Sequence, residues 1–213
     1  MRLAVLASGG GSNLQALLDA RTRGGLGKAD IVVVGVNVPG CGALGRAATA
    51  GVASFVLDHR AYTVREEFDR ALVEKLRSYG AELVVLAGFM RLLTPAFLQA
   101  FPRRIVNIHP ALLPAFPGMH AQAQAFAYGV KIAGCTVHFV DEGTDSGPII
   151  AQSAVPVLEG DDEETLRLRI LAEEHRLLPA VVAAISEGRV TGEGRAVKVM
   201  GGALGAGARF GTL

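Results

Sequence analysis

The sequence has no tryptophan, only two cysteines and aromatic residues at 6% of its 213 positions. Each scarcity excludes something. Cys41 and Cys135 are too few for a disulfide framework, which points to a reducing compartment, and the lack of aromatics leaves the core to aliphatic side chains. An excess of charge is also missing: 21 Lys and Arg against 20 Asp and Glu leave a net charge of +1. That argues against a nucleic-acid binder held by bulk charge and makes a small molecule the expected partner. No apolar run approaches the ~20 residues needed to cross a bilayer, and Met1–Ala7 runs into a glycine loop without a charged-then-apolar leader, so a cytoplasmic protein is expected. What the chain has in quantity is apolar residue, 50% of the total. That is enough for one domain with at most a small appendage, and no internal repeat interrupts it.

Apolar runs of strand length alternate with helix-period segments, the pattern of an α/β protein with a mostly parallel sheet covered by helices on both faces. The strands expected are Leu3–Ala7, Ile31–Val36, Ser54–Leu57, Leu83–Leu86, Ile105–Ile108, Thr136–Val140 and Ile149–Val155, several of them unbroken aliphatic runs as two-sided burial requires. Val64–Tyr79 reads as an amphipathic helix. Val64, Phe68, Leu72, Val73 and Leu76 fall on one stripe, and Glu66, Glu67, Asp69, Glu74 and Lys75 face water. A second helix is expected from about Asp161, whose carboxylate would cap it, carrying Leu166, Ile170, Leu171, Leu177, Leu178 and Val182. Pro179 should kink or divide that helix. Past Gly188 the composition turns to Gly and Ala, and Gly201–Leu213 has little to bury, so a loose tail is expected.

Ser8-Gly9-Gly10-Gly11-Ser12-Asn13 follows the first strand and opens a helix. Glycines permit positive φ and close approach of backbone N–H groups, the helix N-terminus adds partial positive charge, and Ser12 and Asn13 offer side-chain donors, so a phosphate monoester suits the loop. A ligand-free strand-to-helix turn is the plain alternative. The Gly-Lys-Ser/Thr ending of a triphosphate loop is absent, and the second strand ends at Asn37 without the acidic residue that holds an adenosine ribose in dehydrogenases.

Ile105–Pro114 is a buried strand that ends in polar side chains and a proline-punctuated loop. Asn107 and His109 are two apart and share a face, Pro110 keeps His109 extended, and the carboxyl ends of such strands are where open α/β sheets hold ligands. Asp145, in the acidic loop Asp141–Pro148, is the candidate carboxylate partner that would favour the imidazolium and raise the pKa of His109. His138, mid-strand, reads as a hydrogen-bonded core histidine. A metal held by His109, His120, His138 and Asp145 is the competing explanation, and no close-spaced ligand pair supports it.

Ser8–Asn13, Gly88–Leu93, Asn107–Pro114, Pro117–His120, Gly134–Val140 with Asp145-Ser146-Gly147, and Glu174-His175 together resemble phosphoribosylglycinamide formyltransferases over about residues 2–190. The Asn-x-His-Pro motif with the distal Asp is shared with other enzymes that use 10-formyltetrahydrofolate, so it specifies formyl chemistry more sharply than the acceptor. The resemblance implies a Rossmann-like formyltransferase fold in residues 1–190, amino half for the ribonucleotide and carboxyl half for the folate, with 191–213 a glycine-rich tail. It implies Asn107, His109 and Asp145 as catalytic residues, and Gly11, Ser12, Asn13 and Glu174 as contacts of glycinamide ribonucleotide. It also implies Arg65, Met90, Arg91, Leu92, Leu93, Asn107 and Asp141, Glu142, Gly143, Thr144 and Asp145 around 10-formyltetrahydrofolate. Arg65 also has the plain reading of a solvated helix-surface arginine.

The expected reaction passes the formyl group to the ribonucleotide amine in purine biosynthesis, with no metal, nucleic acid or membrane and with room for a homodimer. A formyltetrahydrofolate deformylase and a non-catalytic nucleotide-binding module are the alternatives. The first usually adds an amino-terminal domain, and the second has no need of Asn107, His109 and Asp145 together. A methionyl-tRNA formyltransferase would be expected to carry a basic carboxyl-terminal domain.

Overall fold

The computed structural model describes residues 1–201; the expected loose segment from 202 onward lies outside the described residues. The chain forms two compact units, Met1–Asn107 and a second beginning at Ile108. In the first, strands β1 (Arg2–Ala7), β2 (Asp30–Val36), β3 (Ser54–Val56), β4 (Leu83–Leu86) and β5 (Ile105–His109, its last two residues opening the second unit) lie in the order β3-β2-β1-β4-β5. Every pairing among them is parallel. Leu3 to Ala7 of β1 are fully buried, the two-sided burial their unbroken aliphatic run called for. At Gly35 of β2 the strands close tightly: a Cβ there would lie 2.7 Å from both Leu6 and Phe55.

Helices α1 (Ser12–Thr22), α2 (Gly42–Thr49), α3 (Arg65–Ser78) and α4 (Pro95–Ala100) complete this unit, α1 and α2 packing on β2, and α3 on α4. Two residues of α3 depart from the expected amphipathic reading. Val64 is the exposed N-cap, outside the stripe. Asp69, expected in water, is 1% exposed because it accepts the Thr94 N–H at 2.6 Å, at the start of α4. Burial pushes its carboxyl above the ordinary value against that hydrogen bond, so a polar residue on the inner face of a helix found its partner in a segment distant in sequence.

The second unit holds α5 (Ala121–Tyr128), the antiparallel pair β6 (Ile132–Phe139) and β7 (Ile149–Pro156), and α6 (Glu163–Ser186), which packs across both strands and against α5. β6 starts at Ile132 rather than Thr136, since its pairing with β7 extends from Ile132 opposite Pro156. The cap of α6 is Asp162, which accepts the Thr165 N–H at 2.7 Å, whereas Asp161 is taken by Arg169 and the Leu158 N–H. Pro179 does not divide α6. It lies in one 24-residue helix among the buried Leu177, Leu178, Val181 and Val182, where packing of the apolar face outweighs one lost backbone bond.

Residues 190–199, expected as part of a tail, form a hairpin of β8 (Val190–Glu193) and β9 (Ala196–Val199) beside β7. The two-residue turn Gly194-Arg195 accounts for it, with Gly194 at φ 54, the conformation such turns demand.

Leu166 is fully buried where α6 meets its unit. We expect Leu166→Ala to lower unfolding free energy by about 2–5 kcal/mol, read as a shifted urea midpoint with unchanged slope.

Candidate active site

In the first unit, β1 delivers the chain into the glycine loop. Gly11 caps α1 in the left-handed conformation (φ 73, ψ 35) and its carbonyl accepts the first helical bond from Gln15 N–H at 2.9 Å. The amides of residues 12 and 13 therefore lie ahead of the helical ladder, as an anion site requires. The Asn13 side chain is buried, at 8% exposure, on the inner face of α1 with Leu14 and Leu17.

The loop after β4 is joined to this one. Ser8 N–H donates to Gly88 O at 3.0 Å, and Ser8 Oγ accepts the Met90 N–H at 2.8 Å while donating to Asn37 Oδ1 at 2.6 Å. Met90 and Leu92 are more than half exposed, apolar side chains held outward by a pinned backbone. Arg91 lies 4.9 Å over the Phe68 ring and near Asp69, and Arg65 is exposed at the start of α3. Leu93 is half-buried.

Asn107 closes the first unit and His109 lies just inside the second, both on β5, where strand alternation turns them to one face. His109 is 4% exposed. The loop that follows it is gripped by β6 and β7: Thr136 Oγ1 donates to Ala111 O at 2.6 Å and accepts Leu113 N–H at 3.0 Å, and Gln152 donates to Leu113 O at 2.9 Å. The loop then returns Phe116 O to 2.8 Å from His109 Nε2.

Asp145 faces the other ring nitrogen, its Oδ2 3.2 Å from His109 Nδ1, and its Oδ1 is 3.6 Å from His138 Nε2. Oδ2 also accepts the Gly118 N–H at 2.8 Å. Asp145 holds this position at φ 50, a conformation costly for a non-glycine residue and common at functional sites. Its loop is tied down by Asp141 Oδ1, which accepts from Ser146 Oγ at 2.7 Å and Gly143 N–H at 3.2 Å, and by Arg195 of the β8–β9 turn, which donates to Ser146 O at 2.8 Å. Glu142, Gly143 and Thr144 are exposed at the loop's tip.

His138, read from sequence as a core residue, is buried as expected yet joins the site through Asp145. The signal was its spacing: Thr136 and His138 are alternate residues of β6, both polar and both buried. Glu174 of α6 is 4% exposed. Cys135 is an inert thiol, pushed up to about 12 by burial, with Glu174 and Glu173 carboxylates adding to the effect.

The expected rise in the His109 pKa is overturned. Burial pulls the imidazole below its ordinary value and outweighs the Phe116 carbonyl and the Asp145 charge, which pull the other way, while His138 adds to the lowering. For Asp145 burial pushes up, but the hydrogen bonds from His138 and Gly118 prevail and, with the two imidazoles beside it, hold the carboxyl below its ordinary value. Each ring nitrogen of His109 faces an oxygen. One proton cannot serve both, and a second proton is resisted by the low-dielectric surroundings. Among the described residues no group of three or more His, Cys, Asp or Glu is arranged to hold a metal ion, and no helix is long and apolar enough to cross a membrane.

A parallel sheet covered by helices, with a buried histidine at the end of a strand facing a carboxylate, is the arrangement of an α/β enzyme site. The formyl transferase family model matches residues 1–182, and the chain belongs to that family. It is 53% identical over 194 residues to the phosphoribosylglycinamide formyltransferase of Mycobacterium tuberculosis, covering 91% of this chain and 89% of that one. It is 49% identical over 188 residues to the trifunctional purine biosynthetic protein adenosine-3 of Drosophila melanogaster, covering 88% of this chain but spanning only 14% of that protein's length. The crystal structure of glycinamide ribonucleotide transformylase 1 from Symbiobacterium toebii superposes with TM-score 0.91 at 54% identity, covering 94% of each chain.

The two pKa directions give one sign for acid stability. The native state resists protonation of His109, while the unfolded chain takes that proton near 6.5, so stability falls as pH drops through that value and below. Asp145 contributes stability above its unfolded value of 3.8, lost as pH falls through its lower folded value. The thermal midpoint should therefore be flat above about pH 7.5 and decline from about pH 6.5 downward, and His109→Gln should flatten the upper part of that decline. Midpoints of both proteins measured across this range check it.

Proposed function

We propose that the chain transfers the formyl group of 10-formyltetrahydrofolate to the amine of glycinamide ribonucleotide, giving formylglycinamide ribonucleotide and tetrahydrofolate. The observation that carries this reading is the buried His109–Asp145–His138 cluster, in a chain 53% identical over nearly the whole length of a phosphoribosylglycinamide formyltransferase. In this reading Gly11, Ser12 and Asn13 take the ribonucleotide phosphate and Glu174 its sugar. Met90, Arg91, Leu92 and Leu93, together with Asp141, Glu142, Gly143, Thr144 and Asp145, take the folate, and Arg65 its tail. A glycine loop that presents amides and an apolar loop with a hydrogen-bonded backbone support those roles.

The ribonucleotide amine adds to the formyl carbon, the carbonyl becomes a tetrahedral oxyanion, and the bond to N10 breaks as N10 gains the proton the amine gives up. The side-chain amide of Asn107 donates to the oxygen as charge builds. His109 does the same through Nε2, the nitrogen turned away from Asp145, by exchanging the Phe116 carbonyl for the substrate oxygen. Burial disfavours the charged ring, so His109 acts as a neutral N–H donor whose dipole meets the developing negative charge. Asp145, ionised and fixed by Gly118 and His138, accepts the amine proton and passes it on to N10. Neither cysteine takes part, and no covalent enzyme intermediate is formed.

The test mixes the protein with 10-formyltetrahydrofolate with and without glycinamide ribonucleotide and follows folate deformylation. Deformylation that depends on the ribonucleotide is expected, and deformylation independent of it makes the chain a hydrolase. Asp145→Asn should lower kcat on the order of 10²–10⁴-fold while ribonucleotide affinity by calorimetry stays unchanged.

A further inference from the structure

We propose that Arg46 is a positioning residue, which from α2 turns the peptide planes of the glycine loop so that their N–H groups form the phosphate seat. This rests on the reading of that loop as the phosphate site. Two loop carbonyls are held from α2: Gly9 O accepts the Ala43 N–H at 3.1 Å, and Gly10 O accepts Arg46 Nε–H at 2.7 Å. In a planar trans peptide the C=O of one residue and the N–H of the next point in opposite directions. The N–H groups of Gly10 and Gly11 are therefore turned away from α2, onto the loop's outer side. Successive amides presented this way make an anion-binding concavity, and the adjoining helix N-terminus adds partial positive charge to it.

Arg46 fixes this orientation from two sides. Its Nη1 donates to Gln15 Oε1 at 3.0 Å, so one guanidinium spans the carbonyl before Gly11 and the first turn of α1 after it. A rigid fork of donors does this and a single ammonium does not. The packing leaves the loop no room to turn inward: a Cβ on Gly11 would lie 3.0 Å from Ala43 and 3.3 Å from Arg46 Cδ, and one on Gly42 would lie 3.1 Å from Gly10 O. The outward side is open, for a Cβ on Gly9 or Gly10 would meet nothing within 4 Å. Without Arg46, the Gly10–Gly11 peptide keeps no side-chain anchor and its N–H turns freely, at the expense of the phosphate alone.

The experiment is calorimetric titration of the full chain and Arg46→Gln with glycinamide ribonucleotide and with the same molecule lacking its phosphate. The wild type should prefer the phosphorylated form on the order of 10²-fold, and Arg46→Gln should bind it about tenfold more weakly with unchanged affinity for the dephosphorylated form. Arg46→Lys, which keeps the charge and one donor, should fall between them. Equal weakening toward both molecules in Arg46→Gln marks a loss of packing and overturns the proposal, as does no weakening at all. Should Arg46→Gln fail to fold, a wild-type preference for phosphate in Arg46→Lys overturns it. A wild type that binds both molecules equally instead refutes the reading of the loop as a phosphate site, whatever the variants do.

Discussion

Asp145 keeps its carboxylate between two buried imidazoles while its own backbone stands at positive φ, and much of the second unit is arranged to hold it there. The loop around it is crowded. A Cβ on Gly147 would lie 1.8 Å from the Phe139 carbonyl oxygen, so the chain passes there only as glycine, and one on Gly143 would lie 2.0 Å from Ser146 Oγ and displace it from Asp141. Asp141 and Arg195 anchor the loop on either side of the strained residue. A backbone conformation that costs on the order of 1–3 kcal/mol persists only when its surroundings leave no alternative.

The same carboxylate determines how burial and charge are balanced. His109 is nearly sealed from solvent, and burial makes its charged form costly. Asp145 offsets that cost only in part for His109. A ring held neutral at rest, with acceptors already aimed at both nitrogens, suits chemistry in which charge appears during the reaction and disappears after it. A permanently charged imidazolium in that position would cost folding stability at every moment between turnovers.

The first unit works by a different constraint, the direction of peptide dipoles. Its glycine loop has few side chains to offer, so its chemistry depends on which way each amide points, and that is decided by α2, a helix rich in Ala and Gly. Ser8 extends the arrangement by bonding the Met90 and Gly88 backbone, so the loop after β1 and the loop after β4 share one anchor.

How much of this was legible in the residues follows from the range of the interactions. Hydrophobic period and strand alternation are local properties, so the parallel strands, most of the α3 stripe and the polar pair Asn107 and His109 on one face of β5 are legible in the residues. The acidic loop offered Asp145 as the partner of His109, and family resemblance carried the formyl chemistry. Long-range pairing was not legible. Asp69 faced water by its helical position until Thr94 arrived from a segment 25 residues away. His138 seemed a core residue because its partner lies on another loop, and the hairpin at 190–199 depended on a turn too short to outweigh a glycine-rich composition. Tertiary structure alone decided the protonation balance of His109, because desolvation is a property of everything packed around a group and no sequence pattern states how much that is.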